Sequence, residues 1–216
     1  MAVDPTVRDQ IDRVCPGWTG LLHWSFANQL FTRVPAIHDV CILGVYMGRD
    51  TAYMAAHLQA LRTAPFHITA VDLFSSEPCA DWEPEKAGMT WEEAGFGAAP
   101  NIDLVRQNLA LLGLDQHVTL VKQDGASFLR ETDQTFDYIF IDTSHDYETT
   151  RDTIIAAWPR LRKTGLMAGD DYSDKGTWGV KKAVQELCPA ARIYGEWIWF
   201  AAKPEFTGIP KEQLNA

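Results

Sequence analysis

Residues 39–51 read Asp-Val-Cys-Ile-Leu-Gly-Val-Tyr-Met-Gly-Arg-Asp-Thr. A short apolar run ends at a glycine, a second glycine follows four positions later, and a helical pattern then runs from about Asp50 to Leu61. The same alternation continues downstream. A strand over His67–Leu73 carries Asp72 near its end, a helix covers Asn101–Leu112, and a strand covers Val118–Lys122 before the turn Asp124-Gly125. Strand Phe136–Asp142, helix Tyr147–Leu161 and a buried strand over Gly165–Gly169 follow. Helix Gly179–Leu187 precedes two short strands near Ile193 and over Trp197–Ala201, which turn near Gly195-Glu196 to close the sheet. Strands alternating with helices predict an α/β chain with a mainly parallel, doubly wound sheet.

Upstream, Ile11, Val14, Leu22, Phe26 and Leu30 recur at helical spacing, broken by Pro16-Gly17, and predict a helical cap over residues 1–35. Residues 75–100 interrupt the alternation with prolines, glycines, Trp82 and Trp91. So long a loop reads as a cover for substrate. The tail over residues 204–216 is polar and is expected to fray.

The 216 residues, 46% of them apolar, suit one domain with one sizeable core. Nineteen Lys and Arg against 29 Asp and Glu give a net charge of −10, which argues against nucleic acid and anionic membranes as partners. Cys15, Cys41, Cys79 and Cys188 are scattered without metal-ligand spacing and read as free thiols of a reducing compartment. The first residues lack the apolar stretch of a signal peptide, and no apolar run approaches a membrane span. A cytoplasmic protein is expected.

Ligands of open parallel sheets bind beyond the strands' carboxyl ends, so the residues there carry the functional reading. Gly44 and Gly48 permit close backbone approach at a helix N-terminus, although a packing role fits them equally. The spacing is not the dinucleotide fingerprint GxGxxG, and no phosphate loop GxxxxGK[ST] occurs. Asp72 suits the hydroxyls of a ribose or a turn; Asp124 suits an adenine amino group or a helix cap. The segments 140–148, Phe-Ile-Asp-Thr-Ser-His-Asp-Tyr-Glu, and 166–172, Leu-Met-Ala-Gly-Asp-Asp-Tyr, place Asp142, Asp170 and Asp171 at the ends of adjacent strands. Crowded carboxylates repel unless protonated or bridged, and hard oxygen donors favour Mg²⁺, Mn²⁺ or Ca²⁺. His145 beside them suits proton abstraction from a substrate hydroxyl, or else starts a helix.

Taken in order, GVYMG, AVDLF, KQDG, FDYIFIDTSHDYE and GLMAGDDY resemble the class I S-adenosylmethionine-dependent methyltransferases. More narrowly, the last two segments resemble the metal-dependent small-molecule O-methyltransferases related to the macrocin, mycinamicin and novobiocin-pathway enzymes and to the cephalosporin hydroxylase group. The resemblance covers residues 40–203. It implies a Rossmann-like, seven-stranded sheet with helices on both faces. It also implies S-adenosylmethionine held by Gly44, Tyr46, Gly48, Thr51, Asp72, Leu73, Asp124, Gly125, Ala126 and Asp142. Asp142, Asp170 and Asp171 would hold Mg²⁺, and His145, with Asp142, would be catalytic. Two departures stand out: Ile42 replaces an acid common two residues before the first glycine, and Gly169-Asp170-Asp171-Tyr172 replaces GHDY.

Of eight tryptophans, Trp158, Trp197 and Trp199 are assigned to packing, and Trp18, Trp24, Trp82, Trp91 and Trp178 to a pocket. Trp178, Tyr172 and Trp91 are the expected substrate contacts. The expected activity is methyl transfer to a sugar or phenolic hydroxyl of a natural product. A non-catalytic binding protein, or N-methylation or another chemistry on the same fold, is the alternative. The N-terminal helices, with Trp18, Trp24 and Phe31, cover either their own site or that of a second copy in a homo-oligomer.

Overall fold

The computed structural model describes residues 3–61, 64–77, 86 and 88–213; Cys79 and Trp82 lie outside them. Seven strands form one sheet in the order β3-β2-β1-β4-β5-β7-β6. They are β1 (Asp39–Leu43), β2 (His67–Asp72), β3 (Val118–Lys122), β4 (Phe136–Ile141), β5 (Leu161–Gly169), β6 (Arg192–Tyr194) and β7 (Ile198–Ala202). The first five are parallel, and β7 runs antiparallel between β5 and β6. The chain winds outward from β1 through β2 to β3, then crosses back to β4 on the other side of β1. This reversal leaves a crevice between the carboxyl ends of β1 and β4.

Because successive side chains of a strand face opposite ways, the central strands carry apolar residues on both faces and supply two cores. Val40, Ile42, Ile68, Ala70, Tyr138 and Phe140 face one layer of helices. Cys41, Leu43, Val71, Ile139, Ile141 and Met167 face the other. The first layer holds α1 (Pro5–Val14), α2 (Leu21–Arg33), α3 (Arg49–Leu61) and α4 (Ile102–Leu111). The second holds α5 (Gly125–Glu131), α6 (Tyr147–Arg160) and α7 (Val180–Leu187). Among the described residues no helix is long and apolar enough to cross a membrane.

The N-terminal helices are part of the first layer. Helix α2 buries Trp24, Phe26, Ala27, Leu30 and Phe31, with Phe31 edge-on to Tyr138 at 6.0 Å. Trp24, expected in a pocket, is therefore a core residue packed on Tyr53 and His57. Arg49 fastens the segment before α2 by donating to the carbonyls of Cys15 and Thr19, both at 2.7 Å. The hydroxyl of Tyr53 donates to Asp12 on α1.

Other expectations are corrected. β5 begins at Leu161, four residues before Gly165, directly after α6. A two-turn helix, α5, follows the Asp124-Gly125 turn, and Asp124 caps it, as one of its two readings had it. Trp197 does not share a face of β7 with Trp199. It lies in the turn and is 39% exposed, whereas Trp199 is buried. That turn has φ of 59° at Gly195 and 69° at Glu196, the mirror-image type that suits strand twist. The tail is anchored rather than frayed as far as the second core reaches: Phe206 and Ile209 are buried, and Gly208 N–H bonds Leu187 O at 2.9 Å.

Three described cysteines, Cys15, Cys41 and Cys188, are free and buried. Burial also pushes the imidazole of His57, 4.0 Å beneath the Trp24 ring, down to about 4. Between that value and its ordinary 6.5 the unfolded chain binds the proton and the native state does not. Native stability should therefore fall as pH drops from about 6.5 to 4, by on the order of 2–3 kcal/mol from this group. In urea titrations at pH 7 and pH 4.5, His57→Leu should show a smaller pH difference than the parent; an equal difference would contradict the assignment.

Candidate active site

The crevice is built from close backbone contact. Leu43 accepts the amide of Asp142 at 2.8 Å, and Gly44 donates to Val71 at 2.9 Å. Gly44 has φ +88°, and a Cβ there would lie 1.6 Å from the carbonyl oxygen of Asp142, so only glycine lets β1 and β4 end side by side. Beyond it the loop turns through Tyr46, also at positive φ, and Gly48 into α3.

Asp72, at the end of β2, braces that loop. Its Oδ2 accepts from the amides of Val45 (2.7 Å) and Tyr46 (3.0 Å), and its Oδ1 from Phe74 (2.7 Å). A carboxylate offers about four acceptor positions, so roughly one stays open beyond these three amides. Leu73 beside it is 57% exposed, an apolar face at the mouth of the crevice. Asp124 caps α5 by accepting from Ser127 at 2.8 Å, and Gly125 packs against Leu43. Ala126 is buried in the second core, Thr51 is buried within α3, and Ile42 is buried in the first core.

Tyr46 joins three segments. Its ring stacks on Trp18 at 4.5 Å and on Trp91 at 5.7 Å, with Phe96 edge-on to Trp18. Its hydroxyl donates to the carbonyl of Phe96 at 2.9 Å. The structure thus sets Trp91 and Trp18, both read as pocket residues, against the glycine loop.

At the ends of β4 and β5, Asp142, Asp170 and Asp171 each offer an oxygen within 4.8 Å of the others. Burial first, then repulsion from Asp170, Asp171 and Asp50, pushes the carboxyl of Asp142 far above the usual carboxylate range. Oδ1 of Asp170 is buried without a hydrogen-bond partner. Hard oxygens, close spacing, mutual repulsion and an orphaned acceptor together fit a divalent cation.

His145 Nε2 lies 2.9 Å from Oδ2 of Asp171. Trp178 stacks on the His145 ring at 4.4 Å with 23° between planes and fixes it from one face. The amide of Gly179 donates to the His145 carbonyl at 2.7 Å, and a Cβ at Gly179 would come within 2.4 Å of Tyr147 Cβ. Tyr172 is half-buried, its amide donating to Trp197 O at 2.9 Å.

Two residues at this site were not singled out from the sequence. His23, on α2, lies with Nε2 2.7 Å from Oδ2 of Asp170. Burial disfavours its charged form, yet the bond to Asp170 and the charges of Asp50, Asp170 and Asp142 lift its pKa to about 9. Asp50, in the first turn of α3, is buried and pushed up to about 6, with Asp170 adding to the rise and His23 opposing it. Asp50 follows Gly48 by two residues and was legible as an acid at the glycine loop. Nothing local marks His23, which reaches the site only through the packing of α2.

A family model described as a methyltransferase domain matches residues 41–172. No curated protein matches by sequence. Among solved structures, the O-methyltransferase NovP superposes with a TM-score of 0.67 at 19% identity over 85% of this chain and 80% of that one. A putative O-methyltransferase from Klebsiella pneumoniae gives 0.57 at 20% identity over 91% and 88%. An O-methyltransferase from Bacillus cereus, solved in complex with SAH, gives 0.58 at 12% identity over 92% and 91%. These three likenesses are of fold. The family match runs from β1 past Asp171, taking in the glycine loop, Asp72 and the whole acid cluster, and the chain belongs to the methyltransferase domain family.

Proposed function

We propose that the chain, acting as one domain in the cytoplasm, is a metal-dependent O-methyltransferase that methylates a hydroxyl of a small molecule. The observation that carries this reading is the convergence of Asp142, Asp170 and Asp171 at the crevice, with the buried Oδ1 of Asp170 unmatched. When bound, S-adenosylmethionine would supply a methyl activated by a cationic sulfur. A bound divalent cation supplies the positive charge that acidifies an acceptor hydroxyl.

The remaining work falls to the chain's own groups. The Gly44–Gly48 loop, held in shape by Asp72, receives the methionine part of the cofactor. Asp72 takes a ribose hydroxyl, and Leu73, with Asp124, Gly125 and Ala126, borders the adenine. Asp142, Asp170 and Asp171 would hold the cation beside the acceptor. The Asp171 carboxylate selects the tautomer of His145 with hydrogen on Nε2, which puts the basic lone pair on Nδ1 to take the hydroxyl proton. Trp178 keeps that ring in plane and borders the acceptor, with Tyr172 beside it. The net charge of −10 favours a small acceptor, a sugar or a phenol, over a nucleic acid.

Stripping the protein with a chelator should abolish turnover, and Mg²⁺ or Mn²⁺ should restore it; Asp171→Asn should lower kcat by at least ~100-fold, about 2.7 kcal/mol of transition-state stabilisation. Full turnover in the chelator would refute the metal. Calorimetric titration with S-adenosylmethionine should show binding that weakens at least ~10-fold in Asp72→Ala, because the acid both braces the loop and meets the ribose. Unchanged affinity would remove Asp72 from the cofactor site. Trp178→Ala should raise the acceptor KM several-fold and leave cofactor affinity as it was; a weakened cofactor with an unchanged KM would overturn its placement beside the acceptor.

A further inference from the structure

Helix α2 turns one stripe inward, and that stripe ends on a polar residue. Ala27 and Leu30, four and seven positions after His23, are buried on the first core, which puts His23 on the same face, one turn nearer the crevice. There its Nε2 meets Oδ2 of Asp170 at 2.7 Å, joining residues 147 apart in sequence, with side chains only 11% and 12% exposed. A carboxylate can only accept, so the hydrogen sits on Nε2 and the ring is held in one orientation. With Oδ2 engaged, the Asp170 carboxylate cannot rotate freely, and its second oxygen, Oδ1, is the buried one without a partner. Asp171 is held in the same manner, its Oδ2 facing His145 Nε2 at 2.9 Å. The two neighbouring carboxylates just past β5 are thus each gripped through one oxygen by a histidine from a different part of the chain.

We propose that His23 is a positioning residue of the metal site: from α2 it grips Oδ2 of Asp170 and so presents Oδ1 of that carboxylate to the cation. The inference rests on the metal reading above and adds a contribution from outside the matched residues 41–172. It makes the N-terminal helices part of the catalytic apparatus rather than a cover laid over it. Groups that orient a ligand from behind typically set metal affinity by about 10–100-fold.

The test is titration of the chelator-stripped full chain with Mn²⁺, followed by calorimetry or by the loss of free-ion paramagnetic resonance signal. His23→Leu should weaken Mn²⁺ at least ~10-fold, whereas His23→Gln, which keeps an N–H donor, should stay within about 3-fold of the parent. S-adenosylmethionine affinity measured without metal should be unchanged in both, which a general loss of packing would not allow. If His23→Leu does not fold, His23→Asn, polar but too short to reach Asp170, should show the same loss. Parental Mn²⁺ affinity in His23→Leu or His23→Asn, alongside a clear loss in Asp171→Asn, overturns the role of His23 alone. A parent that binds no Mn²⁺, or an Asp171→Asn variant that binds it undiminished, overturns the metal reading and the inference together.

Discussion

Four carboxylates, Asp50, Asp142, Asp170 and Asp171, meet at the carboxyl end of the parallel sheet where little water reaches them, and their repulsion must be answered by protonation or by positive charge. The fold answers partly from within. His23 and His145 each approach one aspartate, from α2 and from the β4–α6 loop, and both bonds leave the second oxygen of the carboxylate uncommitted to that histidine. The same repulsion that strains the protein alone is what would draw in a cation, so stability and function pull in opposite directions here.

How the helices meet the sheet follows from that edge. Gly44 lets β1 end against β4, Asp72 shapes the loop that follows, and Arg49 at the start of α3 ties the loop's far side to the chain before α2. Trp18, Tyr46 and Trp91 then stack across the loop. Three segments remote in sequence are thereby fastened at one place, and the segment between α1 and α2 helps to wall the crevice around the glycines.

Much of this was legible in the residues. The alternation of apolar strands and helical runs is a short-range pattern, and it led to a seven-stranded sheet with nearly all its elements in place. The acids at the strand ends were legible too, because a parallel sheet brings consecutive carboxyl ends together whatever the loops do. What escaped was whatever depended on distant packing. His23 sits in an ordinary amphipathic helix, and only the docking of α2 aims it at Asp170. Trp24 carries no local sign that it faces Tyr53 rather than a ligand. Phe206 and Ile209 stand among polar and turn residues whose composition suggests a loose tail, yet two well-placed apolar side chains and one bond from Gly208 suffice to anchor it. Asp72 and Asp124 each had two readings, and the fold shows the structural one in both: a loop brace and a helix cap.

The placement of β7 between β5 and β6 bears on how the molecule is made. A ribosome that has delivered β5, with Asp170 and Asp171 at its end, has not yet delivered the strand that covers that edge. Until residues 198–202 emerge, Gly169 lacks Trp199 beside it and the second core is open along one side. The edge of β5 that leads to the acid cluster is thus covered last, however early the glycine loop takes shape, and a stalled or shortened nascent chain would leave that edge of the sheet open.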